Sequence, residues 1–498
     1  MSKFSAWFVA FFTEFFTDLW HIIKGFFAGI YRLIIGNPMK YINNLMVYSK
    51  EYTAVDWLLS LIFLVIFALL IVLVCLVIYQ QLKRYIRFTK IEQDKMVLLN
   101  QMNLLERRIR EGNVPSVQTP KVGITPIVKK DTQRVKGNRF TKLNLIDEKY
   151  KYTVLPTLMT EKDRLSLSEI VSHFRNYAAF HHKLYYSEKV AAIFIAGLAT
   201  SKILILEGIS GTGKTSLPYV FGKFINNDAN IISVQPSWRD RYEMMGYFNE
   251  FTKKFNETEF LSSVYEATYR TDVNLVVLDE MNLARVEYYF ADFLSLLELP
   301  NSDEWQLEIV AEQQIGDPVH LKEGKIRIPE NMWFIGTANN DDSTFAITDK
   351  VYDRASSISM NEKAVPFSGM DLPKITISYQ YLKDLFDQAL STYQISKVHM
   401  DAIYKLDNHI SKVFQITFGN RIMKQLETFV PVYVACGREE IEAIDYIIAR
   451  KIIRKFETLN LPFMKRELEE LVSLFDSLFG KNKLIESKTM ILKFITQV

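Results

Sequence analysis

The chain has 498 residues and a formal net charge of +3, long enough for two or three domains and too nearly neutral for bulk charge to point to nucleic acid. Its two cysteines, Cys75 in a long apolar run and Cys436 in a C-terminal helical stretch, exclude a disulfide framework and offer no metal cluster. The seven histidines are scattered and read as structural.

Residues 4–35 are dense in Phe, Trp, Ile and Leu, with Glu14, Asp18, His21 and Lys24 three or four positions apart. That spacing draws one narrow polar stripe along a helix. Spanning a bilayer would sink these charges at about 2.5–3.5 kcal/mol for each Asp or Lys near the centre. Residues 1–50 are therefore expected to lie along the interface rather than form a first span or re-entrant segment. Trp57 to Tyr79 carry no charge. As a helix they extend about 34 Å, enough for a hydrocarbon core of about 30 Å, so residues 55–80 are expected to cross the membrane. Lys83, Arg84, Arg87 and Lys90 follow, against Lys40 and Lys50 before, which places the remainder on the cytoplasmic side.

Over 81–112 the helix continues. Arg84, Phe88, Ile91, Lys95, Leu98, Met102, Leu105 and Ile109 alternate steps of four and three, as in either a short coiled coil or one amphipathic stalk helix. Residues 113–150, with Pro115, Pro120 and Pro126, read as a flexible linker.

Strands and helices alternate from about residue 165, the pattern of an α/β domain with a parallel sheet over 165–365. The apolar run Ile203-Leu204-Ile205-Leu206 leads into Gly208-Ile209-Ser210-Gly211-Thr212-Gly213-Lys214-Thr215, and Ser216 opens a helix. Strand, glycine-rich loop and helix in that order make a phosphate-binding loop. Its glycines let backbone N–H groups curl around a polyphosphate, and the helix N-terminus adds positive potential. Gly208, Ser210, Gly211, Thr212, Gly213, Lys214, Thr215 and Ser216 form the expected nucleotide cradle. Lys214 reaches the β- and γ-phosphates, and Thr215 ligates Mg²⁺.

Downstream, Asn230–Val234 reads as a second strand, and Gly246–Phe255 as a projecting hairpin, from its aromatic alternation around a polar centre. Asn274-Leu275-Val276-Val277-Leu278 runs into Asp279-Glu280. At a sheet's carboxyl edge Asp279 would hold Mg²⁺ and Glu280 would polarise water, which points to hydrolysis beyond binding. Met332–Thr337 reads as another strand, ending in Ala338-Asn339-Asn340, where Asn339 would contact phosphate or orient the water. Tyr379 to Gln497 is helical in pattern, giving a C-terminal lid and extension over 371–498.

This combination resembles an AAA+ ATPase, and more narrowly the McrB-like (dynein-related/MoxR-like) branch. The matching text is Val234-Gln235-Pro236-Ser237-Trp238, the Gly246-Tyr247-Phe248-Asn249 hairpin, Leu278-Asp279-Glu280-Met281-Asn282-Leu283-Ala284-Arg285, and Gly336-Thr337-Ala338-Asn339-Asn340. The resemblance implies a homo-oligomeric ring, commonly six subunits, a P-loop NTPase sheet with a helical lid, and a hairpin facing the ring's channel. It implies that Asn339 is a sensor-1 residue, that Arg354 is an arginine finger completing a neighbour's site, with Arg285 a second candidate, and that Arg421 is a sensor-2 residue of the nucleotide site. Asn339-Asn340-Asp341-Asp342 departs from the Asn-Thr-Ala-Asp signature of McrB-type GTPases, which favours ATP with Mg²⁺ and leaves GTP as the alternative. The leading expectation is a membrane-anchored ring ATPase that remodels or translocates a partner, with bacterial anti-phage defence and a separate effector or nuclease subunit as one setting. A modification-dependent DNA restriction motor and a nucleotide-switched membrane scaffold are the alternatives, and nucleic-acid contact stays open.

Overall fold

The computed structural model describes residues 138–498 apart from 340–343, 362, 363, 460 and 498, and before them Gly25 alone. The interfacial segment (1–50), the membrane span (55–80), the stalk (81–112), most of the linker, and Asn340 to Asp342 therefore lie outside the described residues. Among the described residues no helix is long and apolar enough to cross a membrane.

Five strands pair in parallel: β1 (Ile203–Gly208), β2 (Asn230–Ser233), β5 (Asn274–Asp279), β9 (Met332–Asn339) and β10 (Ser356–Ser359), in the order β10-β1-β9-β5-β2. Side chains along a strand alternate between faces. Leu204, Leu206, Leu275, Trp333, Ile335 and Ile358 accordingly join one buried cluster, and Ile203, Ile205, Val276, Leu278, Met332 and Phe334 the other. Both faces are covered, so the inner strands β1, β5 and β9 read as largely apolar runs, while the edge strands β2 and β10 carry Asn and Ser.

On the first face lie α2 (Leu167–His182), α3 (Glu188–Thr200) and the C-terminal helices. Ser166 and Glu169 form a capping box that starts α2, and Ser187 caps α3. The C-terminal helices, the expected lid, are α10 (Tyr379–Thr392), α11 (Lys397–Phe414), α12 (Gly419–Ala435), α13 (Glu440–Lys451), α14 (Lys465–Phe479) and α15 (Ile485–Gln497). The hairpin is present: β3 (Gly246–Asn249) pairs antiparallel with β4 (Lys254–Glu257), and Phe251 at its tip is 99% exposed. A second insertion, β6 (Gln306–Glu308), β7 (Leu321–Lys322) and β8 (Lys325–Arg327), forms a three-stranded sheet that the sequence pattern does not reveal.

The linker expectation is corrected at its C-terminal end. Lys142–Lys149 is a helix, α1, and it is docked on the domain. Its N-terminal amides need acceptors, and Glu257 of the hairpin supplies them: its carboxylate accepts from the N–H groups of Thr141, Lys142 and Leu143 at 2.7, 2.9 and 2.8 Å. Buried Asp147 accepts the hydroxyls of Tyr265 and Tyr269 and the N–H of Val319. Phe140 stacks on Phe255 with ring centroids 4.9 Å apart, and Arg139 pairs with Asp317 at 2.6 Å. These contacts hold residues 139–150 in a defined place.

Lys451 of α13 is 4% exposed and donates to the carbonyls of Tyr352 and Ala355 at 2.7 and 2.5 Å. Burial pushes its amine from the ordinary 10.5 down to about 7. Between those two values the unfolded chain holds a proton that the folded chain does not, so stability rises with pH from about 7 upward. In melting curves from pH 7 to 9, Lys451→Met is expected to remove part of that rise, giving a flatter profile than the parent chain.

Candidate functional site

The register of the sheet brings the sequence-predicted residues to one edge. Gly208 pairs with Asn339, and Asp279 pairs with Ser233, so the P-loop, Asp279, Glu280 and Asn339 all leave the carboxyl ends of neighbouring strands. In open α/β sheets, ligands bind in the crevice at that edge.

The loop needs its glycines. Gly208, Gly211 and Gly213 all have positive φ, and a Cβ on Gly208 would come within 2.7 Å of the Met360 carbonyl oxygen. Ser210 and Gly211 lie on the exposed crown of the turn. The Thr212 hydroxyl donates to the Ile209 carbonyl at 2.9 Å. Lys214 is buried at 7% exposure and lies across the loop, its ammonium donating to the carbonyls of Gly208 and Ile209 at 3.0 and 2.9 Å. Helix α4 (Ser216–Phe224) starts directly after Thr215.

Asp279 is the hub. Its Oδ1 accepts from the Thr215 hydroxyl at 2.7 Å and from the Thr337 hydroxyl at 2.9 Å. Thr337, buried at 2% exposure, also accepts the backbone N–H of Glu280 at 2.9 Å. Glu280 sits at φ +54, a left-handed conformation that costs a non-glycine residue about 1–3 kcal/mol. That turn lifts its carboxylate out of the sheet, where the Asn339 amide donates to it at 3.4 Å. Asn339 is held in turn by its own carbonyl, which accepts from the Asn282 amide at 2.8 Å and the Thr344 hydroxyl at 2.9 Å. Beneath the turn Met281 packs against Gly336, where any Cβ would overlap its sulfur.

The donor set at Thr215 and Asp279 suits Mg²⁺: one hydroxyl and one carboxylate, both hard oxygens and side by side, with room for phosphate oxygens and water as this ion prefers. Groups of three or more acidic, histidine or cysteine ligands are absent among the described residues, and a phosphate-bound Mg²⁺ does not need one.

Beside the P-loop opens a cavity of about 610 Å³ lined by Thr212, Tyr185, Tyr186, Asn361, Tyr446 and Arg450. That volume is in the range of small-ligand pockets, about 300–1,000 Å³. The Tyr186 ring lies under Gly213, and burial pushes its phenol pKa up. Arg450, from helix α13, carries no distinguishing signal in the sequence pattern. Its guanidinium is loosely held, 3.5 Å from Glu207 and 4.0 Å from Glu486.

The arginine expectations separate. Arg354 lies at the opposite edge of the sheet: it precedes β10, and its carbonyl accepts from Ser201, just ahead of β1. Its Nε donates to Glu298 at 2.9 Å and its Nη1 to the Lys350 carbonyl. Arg421 is corrected. It pairs with the other oxygen of Glu298 at 2.5 Å and so stands with Arg354 rather than in the nucleotide cradle of its own chain. The lid cation that does line the cavity beside Thr212 is Arg450. Arg285 is exposed and lies over the Phe345 ring, 5.3 Å from its centroid.

Thr337 is likewise not legible as a site residue in the sequence, because a threonine inside a strand carries no signal until its neighbour across the sheet is known. Thr337→Val keeps the shape and removes both bonds, each worth about 0.5–1.5 kcal/mol. Nucleotide turnover is expected to fall roughly tenfold, with circular dichroism and cooperative melting retained; steady-state kinetics checks it.

No protein-family model and no curated protein matches the chain. Among solved structures it is similar to "a putative ATPase" from Cytophaga hutchinsonii ATCC 33406, at a TM-score of 0.36 and 14% identity, over 72% of this chain and 98% of that one. The likeness is too slight to bear on the chemistry, which rests on the chain's own residues.

Proposed function

We propose that the chain is a membrane-anchored P-loop ATPase of the McrB-like AAA+ branch, working as a homo-oligomeric ring to remodel or translocate a partner macromolecule. The observation that carries the reading is the linked set Thr215–Asp279–Thr337–Glu280–Asn339 at the mouth of the P-loop. A site that only bound nucleotide would need Lys214, Thr215 and Asp279. Glu280, held in a strained turn and backed by the Asn339 amide, is the added part that hydrolysis requires.

In this reading Lys214 and the N-terminus of α4 bind the phosphates, and Thr215 and Asp279 hold Mg²⁺. Bound there, the ion would screen the phosphate charge. Glu280 takes a proton from water, and Asn339 fixes the carboxylate that does so. Arg354 sits far from its own P-loop, which suits action on a neighbour's site and supports a ring. Arg450 replaces Arg421 as the lid residue for the nucleotide. The membrane tether rests on the uncharged run 57–79, and ATP over GTP on Asn339-Asn340-Asp341-Asp342.

The hairpin favours a partner other than DNA. Of the hairpin's two lysines, Lys253 is paired with Glu250 at 2.7 Å and Lys254 alone stands exposed beside it, while the tip presents an exposed Phe251. A phosphate-tracking surface would need a row of unpaired basic groups, and a single lysine does not make one.

Glu280→Gln removes the proton acceptor and keeps the size. It is expected to lower ATP turnover at least a hundredfold while leaving affinity for a fluorescent ATP analogue within threefold of the parent. Parent-like turnover would contradict the hydrolytic reading.

A further inference from the structure

Glu207 is a carboxylate inside the parallel sheet, the residue before the first glycine of the P-loop, and it is 6% exposed. Burying such a group is costly unless it is paired. Its two partners come from different parts of the molecule. Tyr352 donates its hydroxyl at 2.7 Å from α9 (Asp349–Tyr352), two residues ahead of Arg354. Arg450 approaches at 3.5 Å from the lid, with its Nε left without a partner, and it lines the cavity beside Thr212.

The same stretch of the lid grips the Arg354 segment. Lys451 holds the carbonyls of Tyr352 and Ala355, the Arg454 guanidinium lies 3.6 Å from the centroid of the Tyr352 ring, and Lys455 pairs with Asp353 at 2.9 Å. Between the cavity beside Thr212 and Arg354 there is thus a continuous set of contacts, with Glu207 at its centre. Arg450 is its least satisfied member. A polyphosphate in the cavity would offer that arginine a better partner than a carboxylate at 3.5 Å. Once it turned away, the buried Glu207 would keep the Tyr352 hydroxyl as its partner, and the cost of leaving a buried carboxylate unpaired would tighten that bond.

We infer that Glu207 relays occupancy of a subunit's own nucleotide pocket, through Tyr352, to the Arg354 that the subunit presents to its neighbour. The inference rests on the proposed reading of Arg354 as acting on a second copy of the chain. It adds a positioning pair, Glu207 and Tyr352, by which an empty subunit withholds a well-placed arginine from the next. Coupling of this kind requires an element that both sites bias, and the Tyr352–Arg354 segment is that element.

The test uses the detergent-solubilised full chain, with turnover of ATP and binding of a fluorescent ATP analogue measured for the parent, Tyr352→Phe, Arg354→Ala and the double variant. Tyr352→Phe removes only the hydroxyl. Its turnover is expected to fall about tenfold at saturating ATP with affinity within twofold of the parent. The double variant should be no slower than Arg354→Ala alone, since the hydroxyl acts through that arginine. Turnover of Tyr352→Phe within twofold of the parent overturns the relay, as does a further tenfold loss in the double variant. A parent chain that binds ATP without hydrolysing it overturns the proposed function itself, and the relay with it. Glu207→Gln supplies a second reading, because it keeps an acceptor for Tyr352 and removes the charge facing Arg450. Affinity is expected to tighten severalfold and the Hill coefficient of turnover to drop to one; parent values of both overturn the relay.

Discussion

Asp279 Oδ1 accepts two hydroxyls at once, Thr215 from the turn after β1 and Thr337 from within β9. Those two bonds tie the carboxyl ends of three adjacent strands into one rigid corner. The corner depends on the parallel register, which sets Gly208 beside Asn339 and carries Asp279 to the same level. It also depends on both faces of the sheet being buried, since a strand that slid would turn its apolar side chains to the wrong face. The strained Glu280 turn is held from above by Thr337 and from below by Met281 seated on Gly336. Each piece of the site is thereby fixed by packing instead of by the nucleotide.

Much of that corner is legible in the sequence. Lys214, Asp279, Glu280 and Asn339 each follow an apolar run with the right residue type at its end, and strands place such ends together. The hairpin announces itself by alternation around Asn249 to Lys254. Pairings that depend on distant partners are not legible in this way. Thr337 is an ordinary strand residue until Asp279 stands beside it. Arg421 follows a glycine at a helix start, which suits a lid residue, yet its partner is Glu298 on a separate element. Arg450 is one of many cations on a helix, and only the fold shows which of them faces the P-loop. Lys142–Lys149 has little periodicity of its own, and its N-terminus is completed by Glu257 from the hairpin. The strands of the second insertion are two or three residues long, too short to show a period.

The two edges of the sheet gather different groups. At the carboxyl edge the chain gathers Lys214, Thr215, Asp279, Glu280 and Asn339 around the glycine-rich loop. At the amino edge Glu298 holds Arg354 and Arg421 side by side, two cations on one carboxylate. Those three side chains carry one positive charge in excess, which in the proposed reading would meet a neighbour's polyphosphate. In the proposed reading, a subunit so built would hold one half of its reaction at each edge, and neighbours in a ring would bring the halves together.

The measurement that tests this most directly is complementation between two inactive chains. Lys214→Ala removes phosphate binding and leaves Arg354 intact; Arg354→Ala leaves the P-loop intact and removes the arginine. Each alone is expected to be nearly inactive. Mixed in equal amounts they should regain a substantial part of parent ATP turnover, because some interfaces then pair an intact P-loop with an intact arginine. A mixture no more active than its components would contradict a site shared between subunits.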